Sequence, residues 1–178
     1  MDPLDCGEPE VYLQPGEMLF ALKPTIIRTL LGSCVGATFW NEQRRVGALC
    51  HAMLPRQPES ISYTMGHRYV DFTIQHIARK FDSLGIPRSE VQVKLFGGAD
   101  VLLVGKREAG RQTVGLVNCA AAKEILCAEG FRIFASSLRG TRGLKLSFDT
   151  GSGEVLVQRL KDATATEDST AKNEGVSV

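Results

Sequence analysis

Residues 34–53 read CVGATFWNEQRRVGALCHAM. Two apolar runs, Cys34–Trp40 and Val46–Met53, flank the polar connection Asn41-Glu-Gln-Arg-Arg45. Each run has the length of a strand rather than a helix. A short polar loop between two such runs predicts a β-hairpin. Two further runs precede it, Met18–Leu22 and Ile26–Leu30, and read as strands too. Gly32 and Gly36 lie on either side of Cys34, which implies tight backbone geometry there.

Downstream of the hairpin the period changes. Val70, Ile74, Ile77, Phe81 and Leu84 recur at spacings of 4, 3, 4 and 3, which puts them on one face of a helix. Gly85 and Pro87 stop it. Val91, Val93 and Leu95 then alternate with polar residues, a half-buried strand that ends at Gly97-Gly98. A second helix is predicted from about Thr113 to Ala128, with Ala120, Ala121 and Ala122 allowing close packing. Phe131–Ala135 reads as a strand. Leu144, Leu146 and Phe148 alternate, Thr150-Gly-Ser-Gly153 turns, and Val155–Leu160 returns as a second hairpin. The order is β-rich, α, β, α, β-rich. It predicts an α+β fold: a single domain in three layers, with mixed or antiparallel sheets and two main helices.

The whole chain has 178 residues, with 21 Lys plus Arg against 20 Asp plus Glu and a formal charge of +1. That length favours one domain and suffices for a real core. Near-neutral charge argues against a nucleic-acid binder, which needs clustered excess Lys and Arg. No stretch approaches the ~18 consecutive apolar residues of a membrane span, so no membrane insertion is expected. The acidic start, without Lys or Arg over residues 1–10, does not resemble a secretory signal. Five cysteines at irregular positions (6, 34, 50, 119 and 127) do not form a disulfide framework and point to a reduced, cytoplasmic protein. Residues 1–10 are read as a flexible N-terminus and 11–160 as the folded domain. Residues 161–178 are read as a disordered polar tail, because only Val176 and Val178 there carry sizeable apolar groups.

The segment Gly32-Ser33-Cys34-Val35-Gly36 carries the strongest chemical signal. A cysteine between glycines can sit in a sharp turn, where backbone N–H groups around Gly32 and Ser33 would hold an oxyanion. A nucleophilic thiol also needs a base. Histidine occurs only at 51, 67 and 76, and the predicted hairpin brings His51 to the same sheet end as Cys34. Three bland or competing readings stand beside this one. A lone buried cysteine is most often a small hydrophobe, and a strand histidine is most often structural. Gly32-x-Cys34-x-Gly36 also fits a nucleophile elbow, but that fold places its histidine late, and none follows His76. A zinc site would have to draw on Cys50-His51, Cys119 and Cys127, and no C-x2-C or H-x3-H pair supports it.

Several ordered motifs resemble the chemoreceptor glutamine deamidase family, CheD. They are Thr29-Leu-Leu-Gly-Ser-Cys-Val35, Val46-Gly-Ala-Leu-Cys-His-Ala-Met-Leu-Pro55, Tyr69-Val-Asp71, Lys94-Leu-Phe-Gly-Gly-Ala99 and Gly115-Leu-Val-Asn118. The resemblance covers roughly residues 16–160. It implies a Cys-His-Thr triad made of Cys34, His51 and Thr29, with Thr25 the nearest other threonine upstream. It also implies hydrolysis of glutamine side chains on the cytoplasmic helices of chemotaxis receptors, with glutamyl methyl ester hydrolysis as a related activity. The implied chemistry needs no metal or other cofactor. A phosphatase of the CheC kind is a partner the resemblance adds. One stretch departs from the family pattern: Ser137-Leu-Arg-Gly-Thr-Arg-Gly-Leu-Lys145, whose Arg139, Arg142 and Lys145 are candidate contacts to a receptor or partner. That departure keeps a second reading open, a catalytically weak binding module that regulates a phosphatase or receptor.

Overall fold

The structure, a computed structural model, describes residues 8–60, 63–100, 112–161 and 176–177. In chain order the strands are β1 (Glu10–Tyr12), β2 (Met18–Ala21), β3 (Ile26–Leu31), β4 (Val35–Asn41) and β5 (Val46–Ala52). Helix α1 (Val70–Ser83) and strand β6 (Gln92–Gly97) follow, then helix α2 (Val114–Ala128). The chain closes with β7 (Ile133–Leu138), β8 (Leu144–Asp149), β9 (Val155–Arg159) and β10 (Val176–Ser177). The predicted strands and both helices are therefore present, with ends moved by a few residues. Residues 1–7 of the expected flexible start, and 162–175 and 178 of the expected tail, lie outside the described residues. Val176 and Ser177 pair with Val157 and Leu156 of β9.

The strands form two sheets, ordered β1-β3-β8-β9-β10 and β2-β5-β4-β6-β7. Each is mixed: β1 runs parallel to β3, and β6 runs parallel to β7. Parallel neighbours cannot be joined by a tight turn, and α2 supplies the β6-to-β7 crossover. Strands β4 and β5 pair antiparallel in the register Val35↔Ala52 to Asn41↔Val46, the hairpin expected from residues 34–53.

Two cores follow from the alternation of side chains across each strand. Val35, Ala37 and Phe39 of β4, with Ala48, Cys50 and Ala52 of β5, face Ile74, Ile77 and Phe81 of α1 and Ala122, Ile125 and Leu126 of α2. The opposite face of that sheet contributes Leu49 and Phe96 to a second core with Ile27, Leu31, Leu144, Leu146 and Phe148. The layers are thus sheet, sheet and helices, the α+β arrangement expected. Polar groups tie the two sheets together. The Trp40 indole N–H donates to the Thr150 carbonyl at 2.9 Å, and the Lys94 ammonium donates to the Gly153 carbonyl at 3.2 Å.

Candidate active site

The local folding of β3, β4 and β5 decides which side chains meet. In β5, Cys50 and Ala52 face the helices, so His51 between them faces the other sheet. In β3, Ile27 and Leu31 face the inter-sheet core, and Thr29 shares their parity. Thr29 and His51 are both 1% exposed, and they meet between the sheets. The Thr29 Oγ1 lies 2.8 Å from His51 Nδ1 and 2.9 Å from the Leu13 carbonyl oxygen. A hydroxyl has one proton, and the carbonyl can only accept, so Thr29 donates to Leu13. The hydroxyl must then accept from Nδ1–H of His51. This fixes the ring tautomer and leaves Nε2 as the basic nitrogen. Nε2 is buried and has no hydrogen-bond partner among the described residues.

Cys34 precedes β4 by one residue and packs at the margin of the inter-sheet core. The β4–β5 ladder ends at Val35↔Ala52, next to Gly36↔His51, so Cys34, one residue before the ladder, lies at the same end of the hairpin as His51. The chain at 32–36 runs from strand to strand, whereas a nucleophile elbow must run from strand to helix. Cys50 and His51 point to opposite faces, which separates the two nearest candidates for a shared metal.

Backbone contacts hold the cysteine segment. Gly98 N–H donates to the Cys34 carbonyl and Ala99 N–H to the Gly32 carbonyl, both at 2.8 Å. The Gly97-Gly98 turn of the Lys94–Ala99 motif therefore braces the loop from below. Gly97 has φ +95°, and a Cβ on it would collide with the Cys34 carbonyl oxygen. The Asn118 amide donates to the Ser33 carbonyl at 3.2 Å and to the Met53 carbonyl at 2.8 Å. Asn118 entered the sequence reading only as part of a motif. Its visible signal was an amide among the small and apolar residues of the first half of α2.

Burial favours the neutral form of both the Cys34 and the His51 side chains. Burial lowers the His51 imidazole to about 4, with the Leu13 carbonyl and the Glu17 carboxylate opposing it. Burial raises the Cys34 thiol above its ordinary value, partly offset by its own backbone N–H, which points at the sulfur. The His51 shift has a consequence for stability. The unfolded ring takes up a proton near pH 6.5, whereas the folded ring resists until about 4. Stability is therefore lost as pH falls from about 6.5 to about 4, by about 3 kcal/mol at the lower end. Urea midpoints measured across that window should fall more steeply in the native chain than in His51→Gln, which keeps the smaller losses from His67 and His76, whose imidazoles burial also lowers.

The candidate contact residues fall elsewhere. Arg139, in the left-handed region at φ 70°, forms an ion pair with Asp100 at 2.9 Å and reaches the Thr113 hydroxyl at 3.2 Å. Its guanidinium is thus engaged within the fold. Lys145 pairs with Leu30 and is exposed, on the face of its sheet opposite Thr29. Arg142 is exposed in the bend between β7 and β8. Thr25 donates its hydroxyl to the Lys23 carbonyl and lies before β3, away from His51.

Fold and site together define a class: a two-sheet α+β domain in which a thiol and a hydroxyl-anchored imidazole share one end of the central hairpin. A family profile described as CheD chemotactic sensory transduction matches residues 53–159. The chain is 45% identical over 157 residues to a probable chemoreceptor glutamine deamidase CheD 2 of Geobacter sulfurreducens, covering 88% of this chain and 94% of that one. It is 38% identical to a probable chemoreceptor glutamine deamidase CheD of Oleidesulfovibrio alaskensis, over 89% of this chain and 76% of that one. A counterpart from Pseudomonas savastanoi pv. phaseolicola is 34% identical over 96% of both chains. The chain belongs to the CheD family. The profile match begins at Met53, so Thr29, Cys34 and His51 stand on their own motifs and geometry.

Proposed function

We infer that this chain is a protein-glutamine deamidase that converts glutamine side chains of chemoreceptors to glutamate, with Cys34 as nucleophile, His51 as general base and acid, and Thr29 as the residue that orients the ring. The observation that carries this reading is the Leu13–Thr29–His51 hydrogen-bond chain, which leaves Nε2 of His51 as the basic nitrogen at the hairpin end where Cys34 lies. Its relatives' names supply the substrate class. The enzyme acts in the cytoplasm, where receptor helices bearing these glutamines would be met. Among the described residues no helix is long and apolar enough to cross a membrane.

The mechanism follows from two neutral groups. As the sulfur approaches the carboxamide carbon, its proton passes to His51 Nε2, so thiolate forms only as the S–C bond forms. The oxyanion is held by backbone N–H groups of the Gly32–Cys34 turn. The imidazolium returns its proton to the leaving nitrogen, the C–N bond breaks, and ammonia departs. A thioester on Cys34 remains. Water then attacks it, giving its proton to Nε2, and the C–S bond breaks to release glutamate and restore the thiol. A glutamyl methyl ester would follow the same route with methanol as leaving group. No step requires a metal or organic cofactor.

Thr29→Val keeps the shape but removes the acceptor for Nδ1–H, which frees the ring to change tautomer. The expected result is a fall in kcat of about ten- to a hundredfold, with Thr29→Ser retaining most activity. Steady-state ammonia release measures it.

Peptide-mapping mass spectrometry of a receptor cytoplasmic fragment tests the reading as a whole. Each target glutamine should gain about 1 Da with the native chain and none with Cys34→Ala. No gain with any cognate receptor, alongside tight binding to the receptor or to a CheC-like phosphatase, would overturn it in favour of a regulatory binding module.

A further inference from the structure

We propose that Asn118 is a positioning residue that sets the Cys34–His51 geometry, one amide group holding the loop before the thiol and the chain just after the imidazole. The proposal rests on the functional reading above for its catalytic consequence, but not for its structural one.

The geometry is specific. The Asn118 Nδ2 has two hydrogens and two acceptors, the Ser33 carbonyl at 3.2 Å and the Met53 carbonyl at 2.8 Å. Both partners can only accept, so the nitrogen must face them and the amide orientation is fixed. Ser33 is one residue before Cys34, and Met53 is two after His51. The ladder between β4 and β5 starts at Val35↔Ala52, so it does not reach Ser33 or Met53. Asn118 takes over where the ladder ends. It links the two chain ends that leave the sheet beside the site.

Asparagine here serves the two carbonyls that its amide holds and not the packing of α2. Asn118 is fully buried, and its Oδ1 has no partner among the described residues. Alanine at this position of α2 would remove that unpaired oxygen but would leave the Ser33 and Met53 carbonyls without the amide N–H groups. Helix propensity also favours alanine over asparagine. The fold nonetheless brings α2 close enough for the clamp. A Cβ on Gly115, in the first turn of α2, would collide with the Gly98 carbonyl oxygen, so only glycine permits this backbone approach. Gly98 is the residue whose N–H holds the Cys34 carbonyl. The helix, the glycine turn and the cysteine loop are stacked backbone against backbone, and Asn118 is the side chain that crosses the stack.

The test compares the native chain with Asn118→Ala in two assays and checks folding by thermal midpoint. The first assay is alkylation of the half-buried Cys34 by iodoacetamide across pH in the free protein, read peptide by peptide because Cys127 is exposed. Releasing the clamp should let the loop solvate and let the thiol fall toward its ordinary value, and each unit raises the alkylation rate at a fixed pH below that value about three- to fourfold, since the gain in thiolate outweighs its weaker nucleophilicity. The second assay is deamidation of the receptor fragment, where kcat should fall at least about tenfold with KM little changed. A thiol that reacts faster with a small alkylator yet turns over more slowly is the signature of lost positioning. A folded variant with an unchanged alkylation profile overturns the proposal, whatever happens to kcat. A shifted profile in a protein whose native form deamidates no receptor would uphold the clamp and defeat the functional reading instead. Should Asn118→Ala not fold, Asn118→Ser is read by the same two criteria.

Discussion

Replacing His51 by glutamine is expected to lower deamidation by about three orders of magnitude or more while the two-sheet fold persists. Glutamine keeps polarity and approximate size at a site that is 1% exposed, so the β5 backbone bonds from His51 to Glu17 and Gly16 remain available. What disappears is a group that can take a proton from sulfur and give it to nitrogen. Because burial holds the Cys34 thiol up, the free protein contains little thiolate, and the reaction cannot proceed from a standing anion. The loss should therefore fall on kcat. The native pH profile carries a second mark of this arrangement. His51 stays neutral down to about 4, so activity should not decline through pH 6.5 as it would with an ordinary imidazole base. An acid limb centred near 6.5 would mean that the catalytic ring is solvated, contrary to the buried Thr29–His51 pair.

Cys34→Ala removes the nucleophile and should reduce turnover to background, a loss of about 10⁴-fold or more. Cys34→Ser is expected to fare little better. A serine hydroxyl is a far weaker acid than a thiol, and an imidazole near 4 backed by a neutral threonine is a weak base for it. Where serine hydrolases work, a carboxylate stabilises the imidazolium. Here the ring is held by Thr29, whose hydroxyl already donates to Leu13. The site thus suits sulfur. Reactivity of Cys34 toward iodoacetamide in the free protein should follow an apparent pKa above the ordinary thiol value.

Much of the candidate site's placement was legible because it depends on one local feature. The connection at 41–45 sets the hairpin register, and the register brings residues 34 and 51 to one end of the hairpin. The helices were equally plain, since α1 keeps a 4, 3, 4, 3 spacing. Other parts depend on contacts between distant segments. That β3 leaves its neighbours to pair with β8 of another sheet is a pairing across more than a hundred residues, with no local code. Thr25 and Thr29 share strand parity, so alternation could not separate them. The start of β3 at Ile26 and the second sheet packed against it did. Strand β1 is three residues long and too short to show a period. Arg139 read as a free basic residue because Asp100 and Thr113, which engage it, are 39 and 26 positions away. Asn118 likewise acquired meaning only when the fold set it between Ser33 and Met53.

The central claim is that Cys34 attacks the carboxamide and holds the product as a thioester. Rapid acid quench of the native chain with a glutamine-bearing receptor peptide, followed by intact and fragment mass measurement, tests it most directly. The account predicts a transient adduct on Cys34 equal to the peptide mass less ammonia, about 17 Da, and its removal by hydroxylamine. Glutamate formation with no covalent species on Cys34, and undiminished turnover in Cys34→Ala, would contradict it.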